Sequence, residues 1–292
     1  MIINPYMFGV PLLLDFYGNS IGAWSTARKL RMGYSGYCLK VRRDSDNTTL
    51  DIGYVNNSLD EASLLAFVGA GSGYVHTLYD NTTIGNNAVQ TTAANQPRIV
   101  NAGVVDKKNS KPCMIFDGTN DSLLCGTLNG GTKPANFSFS SVFAMTSFST
   151  SHGVFGSYNG NNPQTAYLMM YISNGTYKYQ SYFGNSASTY GGLISTTNPL
   201  SADTQTLASL TYTSGNNTPI FYKNGDSALS GIADGAATTN TGTETAFYIG
   251  VNGASASLYH LGSIQEVVTF SVDNVSNRAG IIANQNTFYT IY

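Results

Sequence analysis

The stretch "LGSIQEVVTF" (261–270) has the composition of a buried β-strand, and it decides the fold because many similar stretches precede it. From about residue 112 onward, short aromatic and β-branched runs follow one another, each bounded by Gly, Asn, Ser or Pro. The run "FYKNGD" (221–226) carries Asn224-Gly225, a strong hairpin signal. About ten such runs predict a mostly β fold, a jelly-roll sandwich of two antiparallel sheets.

The rest of the chain predicts a few short helices and no second domain. We expect helices in "AWSTARKLRMGY" (23–34), in "SLDEASLLAFVG" (58–69) and at the end of the chain in "SNRAGIIANQNTFYTIY" (276–292). Residues 1–20 contain two prolines and many apolar side chains, so they predict an N-terminal arm that lies on its own domain or on a neighbouring subunit. No linker or repeat divides residues 21–292, which we expect to form a single domain.

The composition excludes several classes of protein. The chain has 292 residues and a net charge of −2, which gives no support for a nucleic-acid partner. The odd number of cysteines, three, argues against a disulfide framework. The apolar start is too short to span a bilayer and lacks a basic leader, so we expect neither a membrane span nor a signal peptide.

The sparse charge is concentrated in "KVRRDSDNTTLD" (40–51). In an extended strand, alternate side chains point to opposite faces, and an acidic turn follows the arginines. We expect Arg42 and Arg43 to pair with this turn through Asp46 and Asp51, as a structural charge cluster rather than a catalytic site. In particular, Arg43 is expected to be buried against Asp46 or Asp51.

Two families share these patterns. The order "FYKNGD", "FYIGV", "LGSIQEVVTF" resembles the laminin-G, or concanavalin A-like lectin/glucanase, sandwich. The stretches "RKLRMGYSGYCLKVRRDSDNTTLDIGYV" (28–55), "LLAFVGAGSGYVHTLYD" (64–80) and "KPCMIFDGTNDSL" (111–123) are similar to a module of bacteriophage structural proteins. That module is related to the catalytic domain of fungal α-L-arabinofuranosidase B. The start "MIINPYMFG" resembles the starts of phage virion proteins.

The resemblance to phage proteins implies a virion protein exposed on the particle surface, as a head fibre, spike, capsid decoration or tail fibre. It would be made in the host cytoplasm, assemble as a homo-oligomer with other virion proteins, and contact host glycans. The arm would anchor it to the particle. On this interpretation the chain is not an enzyme. Two alternatives remain: a glycoside hydrolase of the arabinofuranosidase type, and a free lectin-like module that binds carbohydrate.

A glycosidase needs two carboxylates at its active site. Here Glu266 lies on the last predicted strand and Asp117 in "FDGTNDSL", so these are the catalytic candidates if the chain is an enzyme. The lectin-like resemblance implies instead that Glu266 fixes neighbouring strands or the closing helix. Asp117 and Asp121 are typical of a turn. They also offer oxygens to Ca²⁺, but the Asp-x-Asp-x-Asp-Gly pattern is missing, so we expect no metal and no cofactor. The chain lacks the adjacent Cys–Cys pair that the arabinofuranosidases carry near the sugar.

A glycan surface needs exposed aromatic rings for the sugar faces and amides for the hydroxyls. The loops "GSYNGNNPQTAY" (156–167) and "YFGNSASTYGG" (182–192) offer both. The predicted glycan-binding residues are Tyr158, Asn159, Asn161 and Tyr190.

Overall fold

The computed structural model describes residues 11–148, 150–157, 170–172, 179–184, 190–196, 200–243, 246–253 and 258–292. Within these ranges the helices are α1 (Leu13–Phe16), α2 (Glu61–Val68) and α3 (Arg278–Tyr289). The strands of the first half are β1 (Ser20–Ser25), β2 (Leu39–Arg43), β3 (Thr49–Ile52), β4 (Tyr54–Val55), β5 (Ser58–Leu59), β6 (Gly73–Leu78), β7 (Ala88–Val89), β8 (Arg98–Asn101), β9 (Val104–Val105), β10 (Lys107–Lys108), β11 (Lys111–Pro112), β12 (Met114–Asp117), β13 (Leu123–Gly126) and β14 (Phe137–Met145). Those of the second half are β15 (His152–Gly156), β16 (Met170–Ile172), β17 (Tyr179–Gly184), β18 (Tyr190–Ser195), β19 (Thr206–Tyr212), β20 (Ile220–Lys223), β21 (Gly231–Ala233), β22 (Phe247–Ile249) and β23 (Leu261–Phe270).

The long strand β23 organises the first sheet. One edge of β23 pairs with β14 along most of its length, and β14 continues through β19 to β20. Its other edge pairs with β1 near the carboxyl end of β23 and with β12 near the amino end. All of these pairs are antiparallel, and β23 is buried at every position after its first residue. This agrees with the prediction of a core strand over 261–270.

A second antiparallel sheet covers the first. Its strands pair in the order β7, β13, β22, β15, β16, β17, β18, β21. Aromatic side chains of the two sheets meet between them: the ring centroids of Phe139 and Phe155 lie 4.8 Å apart, and those of Phe137 and Phe183 lie 6.2 Å apart. The predicted mostly β jelly-roll sandwich is therefore confirmed.

A side ladder carries the front part of the chain. Strand β12 pairs with β8, and the ladder continues through β6 and β2 to β3. Helix α2 packs on one face of this ladder with Leu64 and Val68 buried. The helix begins where expected, because the Asp60 carboxylate accepts the backbone N–H of Ser63 at 3.0 Å and so caps the first turn. The opposite face of the ladder borders a cleft.

The helix predicted over 23–34 is wrong. Residues 23–25 belong to strand β1 and residues 26–34 form no helix; Trp24 lies opposite Val267 in the pairing with β23. Trp24 is fully buried, stacks on Phe247 at 5.9 Å, and its indole N–H donates to the backbone oxygen of Asn86 at 2.8 Å. Pairing with the central strand outweighs the local helical spacing in this segment.

The two ends of the described chain pack together on the first sheet. The closing helix α3 is confirmed, and it buries Ile281, Ile282 and Gln285. Of the predicted arm, residues 11–20 lie on the chain's own domain, where Leu13 and Leu14 join the cluster around Ile281. Residues 1–10 lie outside the described residues, so the arm as an anchor to another subunit stays a prediction. Among the described helices, none has the length and apolar composition to cross a membrane.

Candidate functional site

The outer face of the side ladder forms the floor of a cleft of about 560 Å³. Four residues of four strands make this floor as a cross-strand row, because Arg42 pairs with Tyr74, Tyr74 with Arg98, and Arg98 with Ile115. Cross-strand partners share a face of the sheet, so these side chains lie side by side. The register between β2, β6, β8 and β12 therefore builds the floor.

Loops at the ends of these strands make the rim. Asp44 follows β2, and the segment between β7 and β8 contributes Gln96 together with two alanines, Ala93 and Ala94. Asp117 ends β12, and Asp121 lies in the turn that follows. The rim of the cleft is thus mainly polar and charged, and its floor combines two arginines with one aromatic and one aliphatic side chain.

Arg42 is held in one orientation. Its Nε donates to Gln96 Oε1 at 2.6 Å, its Nη1 to Asn47 Oδ1 at 2.9 Å and its Nη2 to the Ala93 carbonyl at 3.2 Å. Its guanidinium carbon also lies 4.9 Å from the centre of the Tyr74 ring, a cation–π contact. The charged group is therefore fixed over the floor of the cleft.

Two glutamines tie the rim to the carboxylate side of the cleft. Gln96 is only 3% exposed, and its Nε2 donates to the backbone oxygen of Gln90 at 2.7 Å. The Gln90 side chain in turn donates to the backbone oxygen of Ser122, the neighbour of Asp121, at 3.0 Å. Arg42, Gln96 and Gln90 thus form a continuous hydrogen-bonded connection from β2 to the turn after β12.

That turn brings two carboxylates together. Asp117 Oδ1 accepts the backbone N–H groups of Thr119 at 2.8 Å and Asn120 at 3.2 Å, and Asp121 Oδ2 accepts the N–H of Asp117 at 3.0 Å. Asp117 is exposed, whereas Asp121 is 7% exposed. The other oxygens, Asp117 Oδ2 and Asp121 Oδ1, accept no hydrogen bond from the described part of the chain. Each carboxylate keeps an oxygen for a ligand.

The surroundings of Asp121 favour its protonated form. The pKa of the Asp121 carboxyl is raised to about 6, first by burial and second by the negative charge of Asp117. The backbone N–H of Asp117 and the positive charge of Arg98 act in the opposite direction. Arg98 itself forms a bidentate ion pair with Asp106, at 2.8 and 3.1 Å. The site therefore holds one carboxyl whose pKa is raised, that of Asp121, beside a second carboxyl, that of Asp117.

Glu266 has a different environment. It is 1% exposed, and both its oxygens accept from Arg28, at 2.8 Å each, while Gln285 and Tyr289 of α3 donate to it at 3.0 Å. This network joins β23, the segment after β1 and the closing helix. The structure thus separates the two catalytic candidates: Asp117 lines the cleft, and Glu266 lies in the core.

The expected charge cluster forms only in part. Arg43 pairs with Asp46 at 2.6 Å, but the two side chains are 31% and 42% exposed, so the expected burial of Arg43 is wrong. Among the described residues Arg42 bonds no acid, because successive side chains of β2 point to opposite faces and Arg42 faces the cleft. Asp51 accepts the hydroxyl of Tyr79 at 2.6 Å instead of pairing with either arginine.

Most of the predicted glycan-binding residues lie outside the residues that the structure describes. Tyr158, Asn159 and Asn161 lie outside the described residues. Tyr190 begins β18, and its hydroxyl donates to Asp234 at 3.2 Å, so its role in glycan binding stays a prediction. No group of three or more His, Cys, Asp or Glu side chains is placed to bind a metal ion within the described ranges.

Sequence reasoning missed most residues of the cleft: Arg42 as a cleft residue, Asp44, Tyr74, Gln96 and Arg98. Strand alternation placed Arg42 on the polar face of β2, but the partner strands of that face depend on long-range register. The available signal was the recurrence of polar or aromatic side chains at alternate positions. These are Lys40 and Arg42 in "KVRR", and Tyr74 and His76 in "GYVHTLY".

Residues 17–117 match the sequence model of the family described as "Alpha-L-arabinofuranosidase B, catalytic". Among solved structures, the chain is similar to an arabinofuranosidase complexed with arabinofuranosyl-α-1,2-xylobiose, with 17% identity, a TM-score of 0.66 and 94% of this chain covered. It is also similar to a GH54 α-L-arabinofuranosidase soaked with a cyclic sulfate inhibitor, with 16% identity, a TM-score of 0.67 and the same coverage. The chain spans 65% of the length of each of these structures. No curated protein matches the sequence significantly.

These matches correct the functional expectation. The family match over residues 17–117 is to the catalytic domain of a glycosidase, and the similar solved structures are arabinofuranosidases. The expectation of a bacteriophage virion protein at the particle surface is therefore wrong, and so is the expectation that the chain is not an enzyme. The match favours the glycoside hydrolase alternative, and the matched segment contains every cleft residue named above except Asp121.

Proposed function

We propose that the chain is a glycoside hydrolase that removes α-L-arabinofuranosyl groups from glycans, with the cleft over the side ladder as its active site. The observation that carries the proposal is the pair of adjacent carboxyls in this cleft, one of them buried with a pKa of about 6. The match of the surrounding segment to an arabinofuranosidase catalytic domain supports the substrate class.

The two carboxyls suit the two roles of glycoside hydrolysis. Asp121, whose pKa is raised, is the general acid that protonates the leaving oxygen. Asp117, exposed and next to it, is the carboxylate that stabilises the positive charge of the transition state, as nucleophile or through a water molecule. Retention and inversion differ in the separation of the two carboxyls, so the configuration of the released sugar reports which role Asp117 has.

The turn chemistry supports this division of roles. The backbone N–H groups that bind Asp117 Oδ1 and Asp121 Oδ2 fix both side chains, and the remaining oxygens are available to a sugar. Arg98 lies close enough to act on the charge of Asp121, and its own pairing with Asp106 holds it in place. A substrate in the cleft would rest on Tyr74 and Ile115.

The test is arabinose release by the purified chain from an aryl α-L-arabinofuranoside and from arabinoxylan oligosaccharides, between pH 4 and 8. We expect activity that falls above about pH 6, as Asp121 loses its proton. Asp121→Asn and Asp117→Asn should each lower kcat by roughly 100-fold or more. The matched control Asp51→Asn, outside the cleft, should keep full activity.

Two results would overturn the proposal. One is a folded wild-type chain that releases no arabinose across this pH range. The other is cleavage that Asp117→Asn and Asp121→Asn leave unchanged. Binding of the oligosaccharides without release would mean that the cleft recognises a glycan and does not cleave it.

A further inference from the structure

Arg42 differs from the other arginine of the cleft floor. Arg98 is neutralised by Asp106 in a bidentate ion pair. The three hydrogen bonds of Arg42 go to neutral groups, namely a glutamine oxygen, an asparagine oxygen and a backbone carbonyl. In the part of the chain that the structure describes, no carboxylate oxygen lies within 4.0 Å of its guanidinium. The cleft therefore contains a fixed positive charge that forms no ion pair within the described residues.

The guanidinium of Arg42 is ready to bind a ligand. The Nη1 and Nη2 nitrogens each use one N–H, for Asn47 and Ala93, and each carries a further N–H. The contact with Tyr74 and the bond to the buried Gln96 hold the group in place, so little conformational entropy is lost when it binds an anion. A carboxylate has two oxygens whose spacing matches two N–H groups of a guanidinium.

The charges are distributed along the cleft. Arg42 and Ile115 end the row of four strands, so three strand spacings, roughly 14 Å, separate them. Asp117 and Asp121 lie at the Ile115 end. Asp44 also lines the cleft, two residues after Arg42, and it is exposed to solvent as Asp117 is, so solvent screens both charges. The cleft thus has a cationic end and a carboxyl end, with room for a short oligosaccharide between them.

We propose that the cleft binds an acidic glycan, in which the carboxylate of a uronic acid residue pairs with Arg42 while a neutral sugar lies at Asp117 and Asp121. This inference rests on the proposed function and names its substrate class more narrowly. At the carboxyl end a uronic acid would face two carboxyls, Asp117 and Asp121, whereas at the other end Arg42 offsets the charge of Asp44, so the charge distribution also sets the direction in which the chain of sugars lies.

The experiment compares two matched ligands by calorimetry. One is an arabinoxylan oligosaccharide that carries a single glucuronic acid, and the other is the same oligosaccharide with that carboxyl group reduced to an alcohol. We expect the wild-type chain to bind the acidic ligand at least about 10-fold more tightly at low salt, and we expect added salt to reduce this preference. A sulfated oligosaccharide of the same length tests whether the site selects carboxylates or any anion.

The variants assign the preference to Arg42. Arg42→Gln should bind both ligands equally, and Arg42→Lys should keep part of the preference, because it keeps the charge and loses the paired N–H groups. Arg43→Gln is the matched control, since Arg43 is the next residue of the same strand and pairs with Asp46 outside the cleft. Circular dichroism and the thermal midpoint establish that each variant is folded. If Arg42→Gln does not fold, Arg42→Lys and the salt dependence of the wild type still decide the question.

The possible failures are distinguishable. Equal binding of acidic and reduced ligands by the wild type, or a preference that Arg42→Gln retains, overturns this inference. The proposed hydrolase function stands in that case if the neutral glycan is cleaved. A preference for the sulfated ligand over the glucuronic acid ligand overturns the assignment to a carboxylate. A folded wild-type chain that neither binds nor cleaves any of these ligands overturns both proposals.

Discussion

Replacing Glu266 by Gln tests whether this carboxylate is structural or catalytic. The substitution keeps the shape of the side chain and removes its charge, which leaves the buried guanidinium of Arg28 without a counter-ion. In the wild type each carboxylate oxygen of Glu266 accepts hydrogen bonds from two donors. Arg28 and Gln285 donate to Oε1, and Arg28 and Tyr289 donate to Oε2. An amide nitrogen in place of either oxygen cannot accept from the donors there.

The magnitude follows from these contacts. Hydrogen bonds to charged groups contribute about 1.5–3 kcal/mol each, and the variant loses the charge and the acceptor at one oxygen. Breaking one side of a buried ion pair costs about 3–5 kcal/mol, which agrees with that sum. We therefore expect Glu266→Gln to lower the free energy of unfolding by about 3–5 kcal/mol, a large part of the total for a domain.

The assay is equilibrium unfolding in urea, followed by fluorescence of the single Trp and by circular dichroism. Glu61→Gln is the matched control, because Glu61 pairs with Lys107 at 2.8 Å with both side chains more than 30% exposed, and it should cost less than about 1 kcal/mol. A double replacement by apolar residues, Arg28→Met with Glu266→Met, should lose less stability than Glu266→Gln alone, since it removes the unpaired charge.

One result would refute this reasoning. If Glu266→Gln lost less than about 1 kcal/mol of stability and abolished arabinose release, the carboxylate would belong to the chemistry and not to the core. An activity loss that only follows the loss of folded protein would agree with the structural role.

Two further predictions concern the cleft, and a third concerns the core. As pH rises from 4 to 7, Asp121→Asn should gain stability relative to wild type, by at most about 3 kcal/mol because solvent screens part of the effect, as measured by urea unfolding across pH. Its raised pKa, about 6 in the fold against 3.8, means that the wild type is stabilised below pH 4 and loses this contribution as pH rises through 6. Gln96→Ala should lower the thermal midpoint and glycan affinity together, at a cost of about 1–3 kcal/mol, because Arg42 loses an acceptor; unchanged affinity would contradict this. Gly250→Ala should cost more than about 2 kcal/mol in urea unfolding, because Gly250 has φ +87° and a Cβ there would overlap the Phe116 ring; a neutral effect would contradict this.

The parts of the fold that the sequence predicted are those with local signals. The strand β23 is rich in apolar and β-branched residues and is bounded by turn residues, and the Asp60 cap and an apolar face indicate helix α2. Helix α3 was predicted from the spacing of Ile281, Ile282 and Gln285, which the structure buries. In each case the local pattern and the tertiary packing favour the same structure.

The segment around Trp24 shows why local signals fail elsewhere. Its apolar residues fall at helical spacing, but strand β1 forms because an edge of β23 is available for pairing more than 240 residues later in the chain, as in the pair Ser25 and Glu266. A single sequence contains no information on that pairing. The cleft could not be predicted for the same reason, because its floor depends on long-range strand pairing. The register of that pairing brings together Arg42, Tyr74, Arg98 and Ile115.

Asp117 and Asp121 show that turn chemistry and a ligand site are compatible. The sequence "FDGTNDSL" left a choice between carboxylates that stabilise a turn and carboxylates that act on a ligand. A carboxylate has two oxygens, and in this turn one oxygen of each residue accepts backbone N–H groups while the other accepts none from the described chain. Hydrogen bonds to the first oxygen fix the direction of the second, which is the preorganisation that an active site requires. The turn therefore supplies the rigidity on which the proposed roles of the two carboxyls depend, and loosening the turn should lower kcat even when both carboxyls are kept.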